Sequence, residues 1–278
     1  MTDDSHNEIT VRYLKLSYRD MLHRQTATGI IAIAQPTHAW IAGCLAQAWG
    51  NKDFGNFTPK EEVCLGAAIH DIGWVFWENE PTLNPETGYP HNFMELPAKI
   101  SVKIWSGVKH LTLSYGRYAA LLVSLHGTGL FERFRKWENS PESTQLVQEY
   151  LQQEYAFQTQ LINYLQNDSY YTNYATSEVI QRNRKLVAIW DLLSLALCMG
   201  LREERQFDGV PTVSGETPLT LIPLDDKFNK VQVSPWAFGQ DEVKLNYDGR
   251  VLDKKFTDET QMRQALANSE WVNMSTVL

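Results

Sequence analysis

Residues 186–200, LVAIWDLLSLALCMG, form an apolar run that carries a single charge, Asp191. Val187, Leu195 and Cys198 lie four before, four after and seven after it. At 3.6 residues per turn these positions share one helix face, so Asp191 belongs to an apolar stripe. An ionised carboxylate buried among hydrocarbons needs a partner. The chain must supply a cation there: a buried arginine, for which Arg184 is the candidate, or a metal ion. The run is too short to span a membrane and is charged at its middle, so it reads as a buried helix.

Two other places pose the same problem. Pro36 opens a helix at its first turn, where a missing N–H costs nothing, and Gly50-Asn51 stops it. Within it, Ile41, Ala42 and Leu45 follow His38 at three, four and seven residues, so His38 faces inward. The plain alternative is a core histidine bonded to a backbone carbonyl. Thr58-Pro59-Lys60-Glu61 has the form of a capping box and opens a nearly all-apolar helix that ends on His70-Asp71. Asp71 also requires a partner, either its own neighbour, a backbone cap or a metal. Imidazole and carboxylate are the usual ligands of Zn, Fe, Mn and similar ions. His38, His70, Asp71 and Asp191 thus form a candidate metal-binding constellation on three helices.

Glu80–Pro97 is rich in proline and fits no periodic helix, so it reads as a long ordered loop or lid. Ser114 is a candidate cap for a helix over Tyr118–Leu125. Ser140-Pro141 opens another, with Val147, Leu151, Tyr155 and Ile162 on one stripe. Residues 167–173 are a polar, Tyr-rich break, and a helix covers 177–199. Strand-like alternation occurs over Glu8–Tyr18 and Gly29–Ala34. It returns at Leu219–Leu224, Lys230–Val233, Glu242–Tyr247 and Arg250–Leu252, with Asp248-Gly249 as a hairpin signal between the last two. Thr257–Ala267 reads as a short helix and Trp271–Leu278 as a last strand. The expected fold is mainly α: N-terminal strands in 1–34, a helical core over 35–200, and a β-rich extension over 201–278 packed on the core.

The ordered set His38, His70-Asp71, Asp191 resembles the H…HD…D pattern of the HD-domain superfamily, and His70-Asp71-Ile72-Gly73 matches its HD-I-G variant. The chain is also similar to a bacterial family of unknown function related to that superfamily. That similarity rests on Gln35-Pro36-Thr37-His38-Ala39, His70-Asp71-Ile72-Gly73-Trp74, Leu122-Val123-Ser124-Leu125-His126-Gly127, Asp191-Leu192-Leu193-Ser194-Leu195 and Ser234-Pro235-Trp236-Ala237-Phe238. The resemblance implies an all-α HD-like core over about 35–200. It implies one or two divalent transition ions (Fe, Mn, Zn or Ni), with His91 and His126 as ligands of a second ion. Most HD proteins of known activity are phosphohydrolases, in which the metal lowers the pKa of a bound water that attacks phosphorus, with Asp71 bridging or orienting it. A second branch consists of di-iron oxygenases. A third reading is a non-catalytic HD-fold protein with a structural or sensory role. One departure is Trp74, where many hydrolytic members carry Lys. With Phe76 and Trp77 it suggests an aromatic wall, leaving Arg117 or Lys103 to meet phosphate charge. Without the second ion, His91 is a solvated loop residue and His126 a helix C-terminal histidine.

A net charge of −8 argues against nucleic acid or an anionic membrane as main partner, although Arg133, Arg135 and Lys136 form a local basic patch. The expected partner is a small-molecule ligand or substrate, with a homo-oligomer compatible. Three scattered cysteines, Cys44, Cys64 and Cys198, read as buried thiols of a reducing compartment. Residues 1–20 have no apolar signal run. Cytoplasmic location is the expectation.

Overall fold

A computed structural model describes residues 21–278 apart from Asn92 and Met94. The strand expected over Glu8–Tyr18 lies outside the described residues. The first described elements are an antiparallel pair, β1 (Leu22–Gln25) and β2 (Ile30–Ile33). Helix α1 (Gln35–Ala48) follows, with Pro36 in its first turn. Next come α2 (Lys60–Ala68), α3 (Trp74–Glu78), β3 (Leu83–Asn84), β4 (Tyr89–Pro90), α4 (Ala98–Ser106), α5 (Val108–Leu113) and α6 (Arg117–Arg133). A 3-10 turn over Arg135–Asn139 leads to α7 (Pro141–Gln166) and α8 (Ser177–Met199). The tail holds β5 (Arg205–Pro211), β6 (Glu216–Pro223), β7 (Val231–Ser234), β8 (Lys244–Leu252), α9 (Glu259–Asn268) and β9 (Trp271–Val277).

About half of the described residues are helical and about a fifth extended, so the class is mixed α/β, at the border of mainly α. The strands form real sheets: β1-β2-β8-β9 in one and β5-β6-β7 in another, all antiparallel. The first sheet joins the chain's start to its tail through Ile30↔Leu252 and its neighbours.

Several local expectations give way to tertiary structure. The Asp248-Gly249 hairpin does not form. Strand β8 runs straight through it, pairing with β9 (Asp248↔Asn273, Gly249↔Val272) while Arg250 pairs with Ala32 on the other side. The glycine serves close approach instead: a Cβ on Gly249 would lie 2.3 Å from Ile31 Cγ2. The capping box is also unused. Pro59 is the N-cap of α2, without a side-chain cap bond, and the Thr58 carbonyl accepts from Asn183 Nδ2 at 2.8 Å. Ser114 ends α5 rather than opening α6. Gly116, at φ 143, makes the turn that separates the two. On α7 the buried stripe is Val147, Tyr150, Leu151, Glu154, Gln158, Leu161 and Leu165, while Tyr155 faces solvent.

Loop 80–97 is pinned to the tail. Leu83 N donates to Glu259 Oε2 at 3.0 Å, Arg263 Nε to the Pro81 carbonyl at 2.9 Å, and Phe256 N to the Gly88 carbonyl at 2.8 Å.

The main core lies where α1, α2, α6 and α8 meet the second sheet. Trp190, fully buried, packs edge-on against Trp49 and beside Phe57. Phe238 of the tail seals Trp49 from the other side. Helix α6 is fixed to α7 by a buried polar network. Glu154 accepts from Ser124 Oγ at 2.6 Å and from Lys109 Nζ at 3.1 Å, and Gln158 Nε2 donates to Ser124 and Thr128. Arg24 on β1 caps the C-terminus of α8, donating to the carbonyls of Cys198 (3.0 Å) and Leu197 (2.8 Å). The frame that carries His126 and Asp191 is thereby held at both helices.

No helix among the described residues is long and apolar enough to cross a membrane. All three cysteines are free, Cys64 and Cys198 buried and Cys44 half-buried.

Candidate metal centre

Four segments deliver five ligand-type side chains to one buried point. His38 comes from the second turn of α1, and His70 and Asp71 from the turn that follows α2. His126 lies midway along α6 and Asp191 midway along α8. None of the five is more than 7% exposed. Two ligand triads result, His38–His70–Asp71 and His70–His126–Asp191, each with donor atoms within 4.8 Å of one another.

The separations suit an ion better than direct pairing. His38 Nε2 lies 3.2 Å from Asp191 Oδ1 and 3.4 Å from Asp71 Oδ2. His70 Nε2 lies 3.3 Å from Asp191 Oδ1 and 3.8 Å from Asp71 Oδ2, and His126 Nε2 lies 3.7 Å from Asp191 Oδ2. Charge-assisted N–H···O bonds close to about 2.7–2.9 Å. Ligands about 2.1 Å from a tetrahedral ion stand about 3.4 Å apart. His70 Nε2 has no hydrogen-bond partner despite its burial. No Lys or Arg pairs with Asp71 or Asp191 among the described residues; Arg184, the alternative cation, pairs with Glu132. The cluster could therefore hold a metal ion.

Local supports orient the ligands. His70 Nδ1 lies 2.7 Å from the Ala67 carbonyl, which can only accept, so Nδ1 carries a proton and, once the ring is neutral, Nε2 presents its lone pair inward. The Trp74 side chain lies close enough to Asp71 to favour its charged form. Trp74 thus belongs beside the cluster, whereas Phe76, the next member of the expected aromatic wall, is exposed to solvent. The Trp105 ring packs 6.0 Å from that of His126. A Cβ on Gly127 would meet the Trp105 ring at 2.5 Å, so glycine permits that approach.

In the metal-free cluster the charges divide unevenly. Burial opposes the His70 imidazolium, but the Asp71 charge and the Asp191 contact outweigh it and raise its pKa to about 9. Burial pushes Asp71 up, against the pull of His70 and His38. Asp191 is held well below the usual carboxylate range despite burial, by His38 and His70. Burial, with the His70 charge, drives His126 down to about 3. A metal would displace the His70 proton and replace it as counter-charge.

His38, His70, Asp71 and Asp191 come together as the sequence pattern suggests, and His126 joins them. His91 belongs to neither triad; its Nδ1 lies 3.0 Å from Thr82 Oγ1. The sequence reading did not single out Ala67, Trp105 or Glu78. The Glu78 carboxylate accepts from Gln35 N at 2.7 Å, at the N-terminus of the helix that carries His38. Burial raises its pKa to about 8. A cleft of about 230 Å³ opens beside it, lined in part by Ala34, Pro36, Thr37, Glu78 and Arg250. Of the two cations expected to meet phosphate, Arg117 pairs with Asp168 and Lys103 is exposed. Arg133, seven residues after His126 on α6, is near enough to act on the His126 charge.

No curated protein and no solved structure matches the chain. One family does, described as "Protein of unknown function (DUF3891)", over residues 21–254, which include all five ligand-type residues. The chain belongs to the DUF3891 family of proteins of unknown function.

Proposed function

We propose that this chain is an HD-like, metal-dependent hydrolase of a small phosphorylated molecule. What carries the reading is the convergence of His38, His70, Asp71, His126 and Asp191 at one buried point. Their order along the chain, with the adjacent His-Asp pair in the middle, is the order of the HD pattern. His38, His70, His126 and Asp191 would hold the metal. When bound, a divalent transition ion would supply Lewis acidity and lower the pKa of water. Asp71, with Trp74 beside it, would position the attacking water and accept its proton. Arg133, which follows His126 by two helical turns on the same face of α6, would meet substrate phosphate charge.

Elemental analysis of protein expressed with metal supplied, followed by phosphate release from a panel of nucleotides and small phosphate esters, tests this. The expected result is about one or two bound ions and metal-dependent phosphate release that Asp71→Asn abolishes. Less than about a tenth of an equivalent of any transition metal would overturn it. Two irons with a mixed-valent spin-resonance signal and no phosphate release would replace hydrolysis with oxygenation.

A further inference from the structure

The cleft of about 230 Å³ lies where the tail meets the helical core, and both β8 and α3 contribute to its walls. None of the five ligand-type residues lines it, so it is separate from the metal cluster. Two residues of opposite charge do line it: Glu78, the last residue of α3, and Arg250 of β8. Much of the remaining wall is apolar, with Met21, Ala32, Val75 and Leu266. Pockets for drug-sized molecules hold about 300–1,000 Å³, so this one suits a small occupant.

Neither charge is satisfied by the other. Arg250 is near enough to act on the Glu78 carboxyl, yet the two form no ion pair. Glu78 Oε1 accepts from Gln35 N at 2.7 Å, and Oε2 has no hydrogen-bond partner among the described residues. Burial raises the Glu78 pKa to about 8, and the Asp71 charge adds more to that rise than Arg250 offsets. The carboxyl therefore lacks a counter-charge of its own. Arg250 is held in place without being neutralised. Its Nη1 donates to the Leu266 carbonyl at 3.1 Å, and its guanidinium lies 4.4 Å from the centre of the Trp271 ring. Its other N–H groups have no partner among the described residues, and a guanidinium fork suits a carboxylate. Asp248, two residues earlier on the same face of β8, is exposed, and its Oδ1 accepts from Asn273 Nδ2 at 2.9 Å.

An acid and a base that line one cleft, each without its partner, match a ligand that carries both opposite charges. The geometry points to a binding site for a small zwitterion, an α-amino acid, whose ammonium meets Glu78 and whose carboxylate meets Arg250. The apolar wall takes its side chain. A simple amine leaves Arg250 unmatched, and a simple carboxylate leaves Glu78 unmatched, so the two charges together set the specificity.

Thermal denaturation of the full chain with each of the standard L-amino acids at about 10 mM tests this. At least one is expected to raise the melting temperature by about 2 °C or more. Calorimetry then compares that amino acid with the amine lacking its carboxylate and the acid lacking its ammonium. Each analogue should bind more than about five-fold more weakly. Glu78→Gln, which keeps an acceptor for Gln35 N, and Arg250→Gln should each weaken the amino acid about ten-fold. The analogue comparison uses the unmodified protein, so it decides the question even where a variant folds poorly. No stabilisation by any amino acid would overturn the proposal. So would a loss below about five-fold for either analogue, which would reduce the site to a single charge. Parent-like affinity in Glu78→Gln would overturn it too, by placing the amino acid elsewhere.

Discussion

His70 donates through Nδ1 to the Ala67 carbonyl across 2.7 Å, and this single bond decides the chemistry of the ring's other nitrogen. Nε2 faces Asp191 and Asp71 at 3.3 and 3.8 Å without hydrogen-bond geometry. The bond costs little local distortion because the carbonyl belongs to the last turn of α2, whose acceptors are otherwise unsatisfied. A helix end thus provides both the sharp turn that lets adjacent His70 and Asp71 converge and the acceptor that sets the tautomer.

Asp191 is the ligand on which both ends of the cluster meet, since His38, His70 and His126 all approach it. Asp191→Ala should retain less than about a tenth of the parent's metal, with far-ultraviolet circular dichroism unchanged. Parent-like metal content in this variant would make Asp191 a structural residue.

His126 and His91 should separate cleanly. His126→Ala is expected to lower metal occupancy, because its Nε2 belongs to the second triad. His91→Ala should leave the metal count unchanged, since that ring is engaged by Thr82 and joins neither triad. Elemental analysis of the two variants side by side decides it; a loss in His91→Ala would bring the loop into the site.

Stability of the metal-free protein should fall as pH rises from about 6.5 to 9. His70 has its folded pKa raised from 6.5 to about 9, so its contribution is complete below 6.5 and is lost as pH climbs through 9. Glu78, raised from 4.5 to about 8 by burial, binds more protons folded than unfolded across that interval, and its loss runs the same way. Denaturant midpoints measured across this range check the slope. Added Zn(II) should flatten the His70 part, and a metal-free midpoint that rises with pH would contradict the assignment.

The α6–α7 network should matter for stability and for the position of His126. Glu154→Ala leaves the Lys109 ammonium and the Ser124 hydroxyl without their acceptor, and is expected to cost about 3 kcal/mol by urea denaturation. Gly127→Ala drives a Cβ into the Trp105 ring and should cost about 1–3 kcal/mol. Its metal affinity should fall with it, because Trp105 packs on His126. A Gly127→Ala protein as stable as the parent would show that Trp105 can swing clear.

The sequence by itself determined the long helices and the charges inside them. Helix α8 begins at Ser177 and ends at Met199 because Thr176 caps it and the apolar run ends at Gly200. Helix α7 begins where Ser140-Pro141 says it must. Asp191, Asp71 and His38 were legible as inward-facing because helical periodicity is a local property, and a buried carboxylate without hydrocarbon-compatible pairing stands out against it. Only tertiary structure decided the rest. Asp248-Gly249 has the local chemistry of a turn, yet pairing of both residues with β9, and of β8 with β2 from Arg250 onward, holds it in a strand. Tyr155 fits the α7 stripe by spacing, but the stripe turned so that Glu154 and Gln158 could meet Ser124 and Thr128. Whether His91 or His126 reaches Asp191 depends on how a loop and a helix pack, over a separation no local pattern encodes. Burial of the Asp191 carboxylate could be read along the chain; the identity of the side chains facing it could be read only across the fold.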